Sequence, residues 1–254
     1  MRLVISATVV AFLSLVTSPG HAQRTKAKAP TANKHYVKRT FTVSGGTAIN
    51  YWLMSPEKVK EGAKYPLVLA LHGRGGSTTA ATQLGSDQLR KQFPCFVMAP
   101  AVESRAANWA SPAGIKKKSR KAMLPVALTA MDALIKQSPI DPNRVYVTGQ
   151  SMGGVGTFGA MALRPDAFAA AIPVAGGWNP KDADKIKHIA IWVFHGDQDK
   201  TVPTDYSRAM VDALKKAGGS PKYTEYEGVG HNSWSRTYAA SETWKWLFQQ
   251  KLAR

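Results

Sequence analysis

The sequence is organised around short apolar runs that alternate with segments able to form helices. A continuous apolar run bounded by glycine, proline or polar residues is typical of a strand buried on both faces of a sheet. The alternation predicts an α/β domain whose central sheet is mostly parallel, with helices on both faces. An antiparallel hairpin, formed by TFTVSGG and TAINYWLMSP, is expected to precede it, and KYTEYEG is expected to form the last strand. The buried strands are predicted in YPLVLALHG, FPCFVMAP, RVYVTG, AAAIPVAGG and IAIWVFHG.

The first 22 residues have the parts of a secretory signal peptide. Arg2 is followed by an apolar run, Leu3 to Val16, and by TSPGHAQ, with a cleavage site expected after Ala22. A membrane anchor is the alternative, but the run is shorter than the roughly 20 residues of a membrane span. Residues 23–35 form a basic, polar leader, and residues 36–254 suffice for one large domain. We therefore expect a secreted or periplasmic protein with no membrane span after signal removal.

Charge and cysteine content narrow the classes of partner and cofactor. The 254 residues carry a formal charge of +18, which attracts polyanions to the surface. Nucleic acid is not expected as a partner, because zinc-finger spacing, an RNA-binding aromatic motif and a basic recognition helix are all absent from the sequence. Cys95 is the single cysteine, so no intrachain disulfide can form, and its apolar neighbours predict a buried strand residue. No Cys/His cluster has zinc spacing, and neither a metal nor another cofactor is expected.

One serine stands between two glycines directly after a predicted strand. Gly149-Gln150-Ser151-Met152-Gly153 fits the pattern G-x-S-x-G, and the following GVGTFGAMAL can form a helix. Between a strand and a helix this turn is so sharp that the serine takes a strained conformation and presents its hydroxyl as a nucleophile. The pattern alone is weak, because an ordinary Gly/Ser-rich turn has a similar composition. Whether Ser151 is a nucleophile depends on whether the loops after the other strands supply a base, an acid and an oxyanion-binding site.

A glycine-rich loop follows the predicted strand YPLVLALHG. In open α/β sheets, ligands bind beyond the carboxyl ends of the strands, so this loop is expected at the same edge as Ser151. The glycines of HGRGG, residues 72–76, allow backbone N–H groups to point toward a developing oxyanion. We expect the N–H groups of Arg74 and Met152 to form this oxyanion hole. An ordinary tight turn is the alternative, whereas a phosphate loop would need Gly-Lys-Ser/Thr, which is absent.

An acid and a histidine follow the last two predicted strands. HGDQDKTVP supplies Asp197 and Asp199, and either could orient a histidine and stabilise its charged form. YEGVGHNSW places His231 in a loop, and histidine is the usual base for a serine nucleophile because its pKa lies near working pH. The remaining histidines have simpler explanations in the signal, in the leader or beside a strand: His21, His35, His72, His188 and His195.

The chain from about Tyr36 to Leu252 resembles the secreted α/β-hydrolase esterases. The resemblance is carried by LHGRGG, DPNRVYVTGQSMGG, IWVFHGDQDKTVP and GVGHNSW, which place serine, aspartate and histidine in that family's chain order. The most similar group comprises predicted peptidases and phospholipase/carboxylesterase-like proteins, related to feruloyl esterases and polyhydroxybutyrate depolymerases. The resemblance implies the α/β-hydrolase fold, without a cap domain because GGWNPKDADKIKH is too short for one. It also implies that the acid is Asp199 and that Asp197 is a turn residue.

The function implied is that of a serine esterase with a Ser151–His231–Asp199 triad, an acyl-enzyme intermediate and no cofactor. The expected substrate is a small-molecule or polysaccharide-linked ester, with carbohydrate or phenolic esters as candidates. A serine peptidase or amidase would use the same groups and is the alternative enzyme. A non-catalytic polyanion-binding protein, with the positive charge as its function, is the alternative outside the enzymes.

Aromatic and basic residues are predicted in loops at the same edge of the sheet. Trp109, Trp178 and Trp234 are expected in loops after strands, where their flat apolar faces would suit a sugar or phenolic ring. Anchoring of these loops on the core is an equally supported alternative. Residues 101–121 are expected to form a long loop that would steer anionic substrates if it bordered the cleft, although a solvated basic face is favoured. Against the single acid Glu103, this loop carries Arg105, Lys116, Lys117, Lys118, Arg120 and Lys121.

Overall fold

The computed structural model of the chain describes residues 34–76, 78–104, 106–110 and 120–252. The predicted signal peptide, most of the leader, and the basic residues Arg105 and Lys116 to Lys118 lie outside these ranges. The strands are β1 (Val37–Thr42), β2 (Ala48–Met54), β3 (Tyr65–Leu71), β4 (Phe96–Pro100), β5 (Ala107–Asn108), β6 (Lys121–Ala122), β7 (Ile140–Gln150), β8 (Ala170–Val174), β9 (Ala190–Gly196) and β10 (Lys222–Tyr226). The helices are α1 (Thr79–Leu84), α2 (Asp87–Gln92), α3 (Leu124–Gln137), α4 (Met152–Leu163), α5 (Ala183–Ile186), α6 (Asp205–Lys216), α7 (Ser233–Ala239) and α8 (Ser241–Gln249).

Eight strands of the described chain form one twisted sheet in the order β1-β2-β4-β3-β7-β8-β9-β10. The pairs from β4 to β10 are all parallel, whereas β2 pairs antiparallel with both β1 and β4. The mostly parallel sheet and the hairpin before it are therefore confirmed. Because the parallel strands all point the same way, the loops after β3, β7, β8, β9 and β10 open at one edge of the sheet.

Both faces of the sheet are covered, as the continuous apolar strands predict. Alternate residues of β3 point to opposite sides, because side chains alternate along a strand. Leu67, Leu69 and Leu71 belong to the core that the sheet shares with α3, α4, α5 and α6. Val68 and Ala70 belong to a second core, shared with α1, α2, α7 and α8. All five are fully buried, so this central strand has no face that tolerates a polar residue.

The apolar and alanine-rich segment YAASETWKWLFQQKL, for which a single helix would be predicted, is not a continuous helix. The chain breaks at Ala240, so that α7 ends at Ala239 and α8 begins at Ser241. Tertiary contacts explain the break. The Tyr238 hydroxyl lies 2.8 Å from the Thr148 hydroxyl in the core, and the Trp244 indole N–H donates to the Tyr238 carbonyl over 2.9 Å. Burial of these aromatic groups outweighs the helical preference of the intervening alanines.

Two connecting segments follow β4 and β8 at the edge where the parallel strands end. Where a long loop was predicted, Ala107–Asn108 pairs in parallel with Lys121–Ala122 as a two-residue ladder. Residues 175–189, between β8 and β9, contain a short 3₁₀ turn and α5.

Cys95 is buried, as its apolar neighbours predicted. No helix within the described ranges has the length and hydropathy needed to cross a membrane.

Candidate active site

Ser151 lies at a strained turn between the end of β7 and the start of α4. Its φ of 54° and ψ of −117° are values that a residue with a side chain rarely adopts. The Ser151 amide donates to the Val174 carbonyl over 2.9 Å, which ties the turn to the neighbouring strand β8. The turn thus has the strand, strained serine and helix that the sequence motif requires.

The two glycines of the motif are required by close approach of backbone. A Cβ atom on Gly153 would lie 2.1 Å from the Leu71 carbonyl oxygen, and one on Gly149 would lie 2.6 Å from the same atom. Real Cβ atoms do not approach a backbone oxygen so closely. The missing side chains therefore allow β3, β7 and α4 to meet directly beneath Ser151.

Three side chains predicted from separate loops meet at this turn. His231 Nε2 lies 2.9 Å from Ser151 Oγ, and His231 Nδ1 lies 2.7 Å from Asp199 Oδ2. Because an ionised carboxylate only accepts, the Nδ1 proton of His231 donates to Asp199, and Nε2 is left to accept the serine proton. The Asp199 side chain is fully buried, whereas 23% of the His231 side chain is exposed. This arrangement can deprotonate Ser151 when an electrophile arrives.

Four N–H groups surround the Asp199 carboxylate. Oδ1 accepts from the amides of Thr201 (2.8 Å) and Val202 (2.9 Å), and Oδ2 accepts from the rings of His231 and His195. Burial by itself would raise the pKa of this carboxyl. Hydrogen bonds from His231, Val202 and Thr201 outweigh burial and hold its pKa below the usual value. Asp199 is therefore ionised at neutral pH, as a partner for a histidine base must be.

The loops after β9 and β10 are joined through their backbones. The amide of Gln198 donates to the Val229 carbonyl over 3.0 Å, and the amide of Asp197 donates to the Tyr226 carbonyl over 3.1 Å. A Cβ on Gly196 would lie 2.1 Å from the Val229 carbonyl oxygen, so only glycine permits this contact. Asp197 contributes its backbone to the loop, while its Oδ1 is buried without a hydrogen-bond partner in the described structure. These contacts set the separation of Asp199 and His231.

The two predicted oxyanion donors lie at the turn. Met152 is the first residue of α4, where backbone N–H groups have no acceptor within the helix. Arg74 lies in a turn closed by the Gly76 amide, which donates to the Gly73 carbonyl over 3.2 Å. A Cβ on Gly73 would lie 3.6 Å from the Ser151 Cβ, so this turn packs against the serine. The role of the Arg74 and Met152 amides stays a prediction.

Sequence reasoning missed the role of His72, which it assigned to a strand end. His72 Nε2 accepts from the Val102 amide over 2.8 Å, so Nδ1 carries the proton and donates to the Gly73 carbonyl over 2.6 Å. Burial holds the pKa of His72 below its ordinary value and favours this neutral ring. His72 therefore ties the turn that carries Arg74 to the segment after β4. Its position directly before the glycines of HGRGG is the signal that could have revealed it.

The prediction that Trp109 offers an aromatic surface to substrate is wrong. Its side chain is fully buried, and its indole N–H donates to the His72 carbonyl over 2.8 Å. The ring also packs against Gly156, where an added Cβ would meet Trp109 Cβ at 2.8 Å. Trp109 anchors its segment to the core, which is the alternative that the sequence left open.

The other two predicted tryptophans are partly exposed. Trp178 lies in the loop after β8, and its indole N–H donates to the Asp182 carboxylate over 2.8 Å. Trp234 was predicted in a loop but is the second residue of α7, because burial of Tyr238 stabilises a helix that the local composition does not favour. Its ring meets that of His231 edge to face, with centroids 4.9 Å apart. Substrate contact by Trp178 and Trp234 stays a prediction.

In the described part of the chain, no three or more His, Cys, Asp or Glu side chains are arranged to hold a metal ion.

The close packing at Gly153 yields a stability prediction. Gly153→Ala should lower the free energy of unfolding by about 3 kcal/mol or more, because the new methyl group overlaps backbone that cannot move away. Urea unfolding followed by fluorescence measures the change. The matched control is Gly230→Ala, whose Cβ would make one ordinary contact, 3.7 Å from the Gln198 carbonyl oxygen. This control should retain wild-type stability, and equal stability of both variants would contradict the packing argument.

The sequence is similar to those of several known hydrolases. Residues 43–254 match the Esterase family, described as "Putative esterase". Poly(3-hydroxyalkanoate) depolymerase C of Paucimonas lemoignei is 35% identical over 120 residues, which are 45% of this chain and 28% of that protein. Carboxylesterase SOBER1 of Arabidopsis thaliana is 26% identical over 201 residues, which are 70% of this chain and 88% of the plant protein.

Solved structures with a similar fold include two esterases. A thermostable esterase is 34% identical, with a TM-score of 0.81, over 87% of this chain and 64% of that one. A ferulic acid esterase, 15% identical with a TM-score of 0.65 over 84% of this chain and 98% of that one, shares the fold. The chain thus spans less than a third of the depolymerase and somewhat less than two thirds of the thermostable esterase. The predicted α/β-hydrolase fold is confirmed, and because the family match extends over most of the chain, the protein belongs to the Esterase family.

Proposed function

We propose that this protein is a serine carboxylesterase. The single observation that carries the proposal is the hydrogen-bonded chain from Ser151 through His231 to the buried carboxylate of Asp199. Membership of the Esterase family favours ester hydrolysis among the reactions that such a triad can perform. The relatives named carboxylesterase and polyhydroxyalkanoate depolymerase are consistent with an ester substrate.

The reaction proceeds in two halves. Ser151 Oγ attacks the ester carbonyl carbon while His231 Nε2 takes the hydroxyl proton. The C–O bond to the alcohol then breaks, and His231 gives that proton to the leaving oxygen, which leaves an acyl-enzyme. Water attacks the acyl carbonyl in the second half, with His231 again moving the proton, and the carboxylic acid departs from Ser151. Asp199 holds the ring in the required tautomer and stabilises its positive charge in both halves.

The backbone N–H groups of Met152 and Arg74 bind the negative oxygen of each tetrahedral intermediate. Donors fixed in advance stabilise such charge without reorganising during the reaction. The Met152 amide lies at the start of α4, where the helix dipole adds to the attraction for an anion. The His72 contacts support the Arg74 side, because they fix the turn that packs against Ser151.

Substitution of the triad tests the function directly. Ser151→Ala and His231→Ala should each lower kcat on p-nitrophenyl acetate by roughly 10⁴-fold or more, because nucleophile and base act as a unit. Asp199→Ala should cost somewhat less. Asp197→Ala is the matched control from the same loop and should leave kcat near the wild-type value. Wild-type turnover no faster than that of Ser151→Ala would leave the non-catalytic polyanion-binding function.

The alternative peptidase or amidase function uses the same groups and needs a substrate comparison. A p-nitrophenyl ester and a p-nitroanilide that share the same acyl group distinguish esterase from peptidase activity. Both release a coloured product in the assay of wild type and Ser151→Ala. An ester preference that disappears in Ser151→Ala supports the esterase. Faster Ser151-dependent turnover of the anilide would instead assign the protein to the peptidases.

The substrate proposed is an ester that carries a phenolic or sugar ring, either free or attached to a polysaccharide. Support comes from Trp234, a partly exposed indole that packs edge to face on the base His231. An aromatic surface beside the base suits a ring, since it combines a large apolar face with a polar N–H. Trp178, partly exposed in the loop after β8, is the second candidate surface.

Trp234→Ala should raise KM for an aryl ester by about threefold to tenfold, which is the range expected for one aromatic contact. KM for an alkyl acetate should change little. Steady-state kinetics on both esters measures the difference, and the same comparison in Trp178→Ala tests the second tryptophan. Equal changes for both esters would show that Trp234 acts only by holding His231.

Export is part of the proposed function, because the first 22 residues have the composition of a cleaved signal. The full chain, produced with a carboxyl-terminal tag in a bacterium, should appear in the periplasm or medium with Gln23 as its first residue. Cell fractionation followed by amino-terminal sequencing tests this. Leu13→Arg is the control, since a charge in the apolar run should keep the protein inside the cell. A wild-type chain that stays uncleaved in the membrane fraction would indicate an anchor instead.

A further inference from the structure

A second histidine contacts the same oxygen of the Asp199 carboxylate as His231. His195 is the next-to-last residue of β9 and is fully buried. Its Nε2 lies 3.1 Å from Asp199 Oδ2 and 2.9 Å from the Val202 carbonyl oxygen. The mechanism above gives this ring no task, and the sequence explained it as a strand-end residue.

The position of one proton on His195 follows from its neighbours. The Val202 carbonyl and the ionised Asp199 carboxylate can only accept hydrogen bonds. Nε2 must therefore carry a proton, which it donates to both oxygens. As a result, Asp199 Oδ2 receives one N–H from His231 and a second from His195, and its direction is defined by two rings.

The other side of His195 reaches the loop after β8. Nδ1 lies 2.7 Å from the Ser207 hydroxyl on α6, and that hydroxyl lies 2.6 Å from the Gly176 carbonyl oxygen. The Ser207 hydroxyl donates its proton to the Gly176 carbonyl, so the hydroxyl oxygen faces His195 Nδ1. Ser207 is itself fully buried, and the ring is thus held at both nitrogens.

Burial opposes a positive charge on His195, whereas the nearest carboxylate favours one. Burial lowers the pKa of His195, and the positive charge on His231 acts in the same direction, while Val202 and Asp199 oppose them. Glu225 lies opposite His195 in the register of β10 and is paired with Arg208 of α6. The Nε2 proton that His195 donates to Asp199 is required by its two acceptors in either charge state of the ring, so this hydrogen bond does not depend on the titration of His195.

We propose that His195 is a positioning residue for the acid, which keeps Asp199 Oδ2 directed at His231 Nδ1 through its own Nε2 proton. The inference rests on the proposed esterase function, because its effect is on proton transfer by the triad. It requires the N–H group of His195 and not its ring. A side chain that returns an N–H to the Nε2 position should therefore restore activity.

Two substitutions separate this role from simple packing. The amide nitrogen of His195→Gln can reach the Nε2 position and donate to Asp199, whereas that of the shorter His195→Asn reaches only the Nδ1 position near Ser207. His195→Asn should lower kcat by about 10- to 100-fold, the range for loss of a hydrogen bond to a buried charge. KM should remain near the wild-type value. His195→Gln should recover most of kcat.

The pH profile gives a readout that packing would not move. A carboxylate with one donor fewer binds protons more readily, so the acid limb of kcat/KM should shift to higher pH in His195→Asn and return toward wild type in His195→Gln. Thermal unfolding checks that both variants are folded. Should either fail to fold, Ser207→Ala, which frees only the Nδ1 side of the ring, should show a smaller loss of kcat and a shift of the acid limb in the same direction.

The outcomes separate this inference from the function on which it rests. If wild type is no faster than Ser151→Ala, the proposed function fails and the inference fails with it. If turnover depends on Ser151 but the folded Asn and Gln variants share one kcat and one acid limb, the inference alone is overturned. If the His195 variants do not fold and Ser207→Ala is tested instead, a wild-type kcat and pH profile in Ser207→Ala would also overturn the inference alone.

Discussion

The close approach of three backbones beneath Ser151 is the constraint on which the site depends. With no side chains at Gly149 and Gly153, the start of α4 and the end of β7 pack on the last carbonyl of β3. The strained conformation of Ser151 persists because surrounding contacts, including the bond from its amide to Val174, leave it no alternative. The serine therefore projects from a rigid sheet edge rather than from a mobile loop, and its position is set before any substrate binds.

Asp199 is positioned differently: its carboxylate is buried and accepts hydrogen bonds from four N–H groups. An unpaired charge in this position would be strongly unfavourable, and the four N–H groups around Asp199 offset the cost of burial. The same bonds fix the direction of its oxygens, so stability and function depend on one set of contacts. Backbone bonds between the loops after β9 and β10 then bring His231 to the correct distance.

Much of the fold and the candidate site could be predicted from local patterns. Apolar strands alternating with helices indicated the parallel sheet, and G-x-S-x-G indicated the turn at Ser151. Residues after strands supplied Ser151, an aspartate at 197 or 199, and His231, and the family resemblance implied Asp199. Local patterns failed where distant groups decide the outcome. Helix α7 forms because Tyr238 is buried against Thr148, and Trp109 turned out to be a core anchor because its indole reaches the His72 carbonyl.

The sequence by itself determined which groups are present at the catalytic edge, because residues that follow parallel strands meet there in any fold of this type. The sequence also determined the positions of Gly149 and Gly153, since the G-x-S-x-G motif requires glycine where the backbones approach closely. The residues alone left Asp197 and Asp199 open as the acid; the family resemblance implied Asp199, and the structure shows its carboxylate bonded to His231. Only the tertiary structure decided that His195 contacts this carboxylate and that His72 holds the turn with Arg74. The physical reason is that hydrogen bonds between residues far apart in the chain depend on distances and directions, which no local sequence pattern encodes.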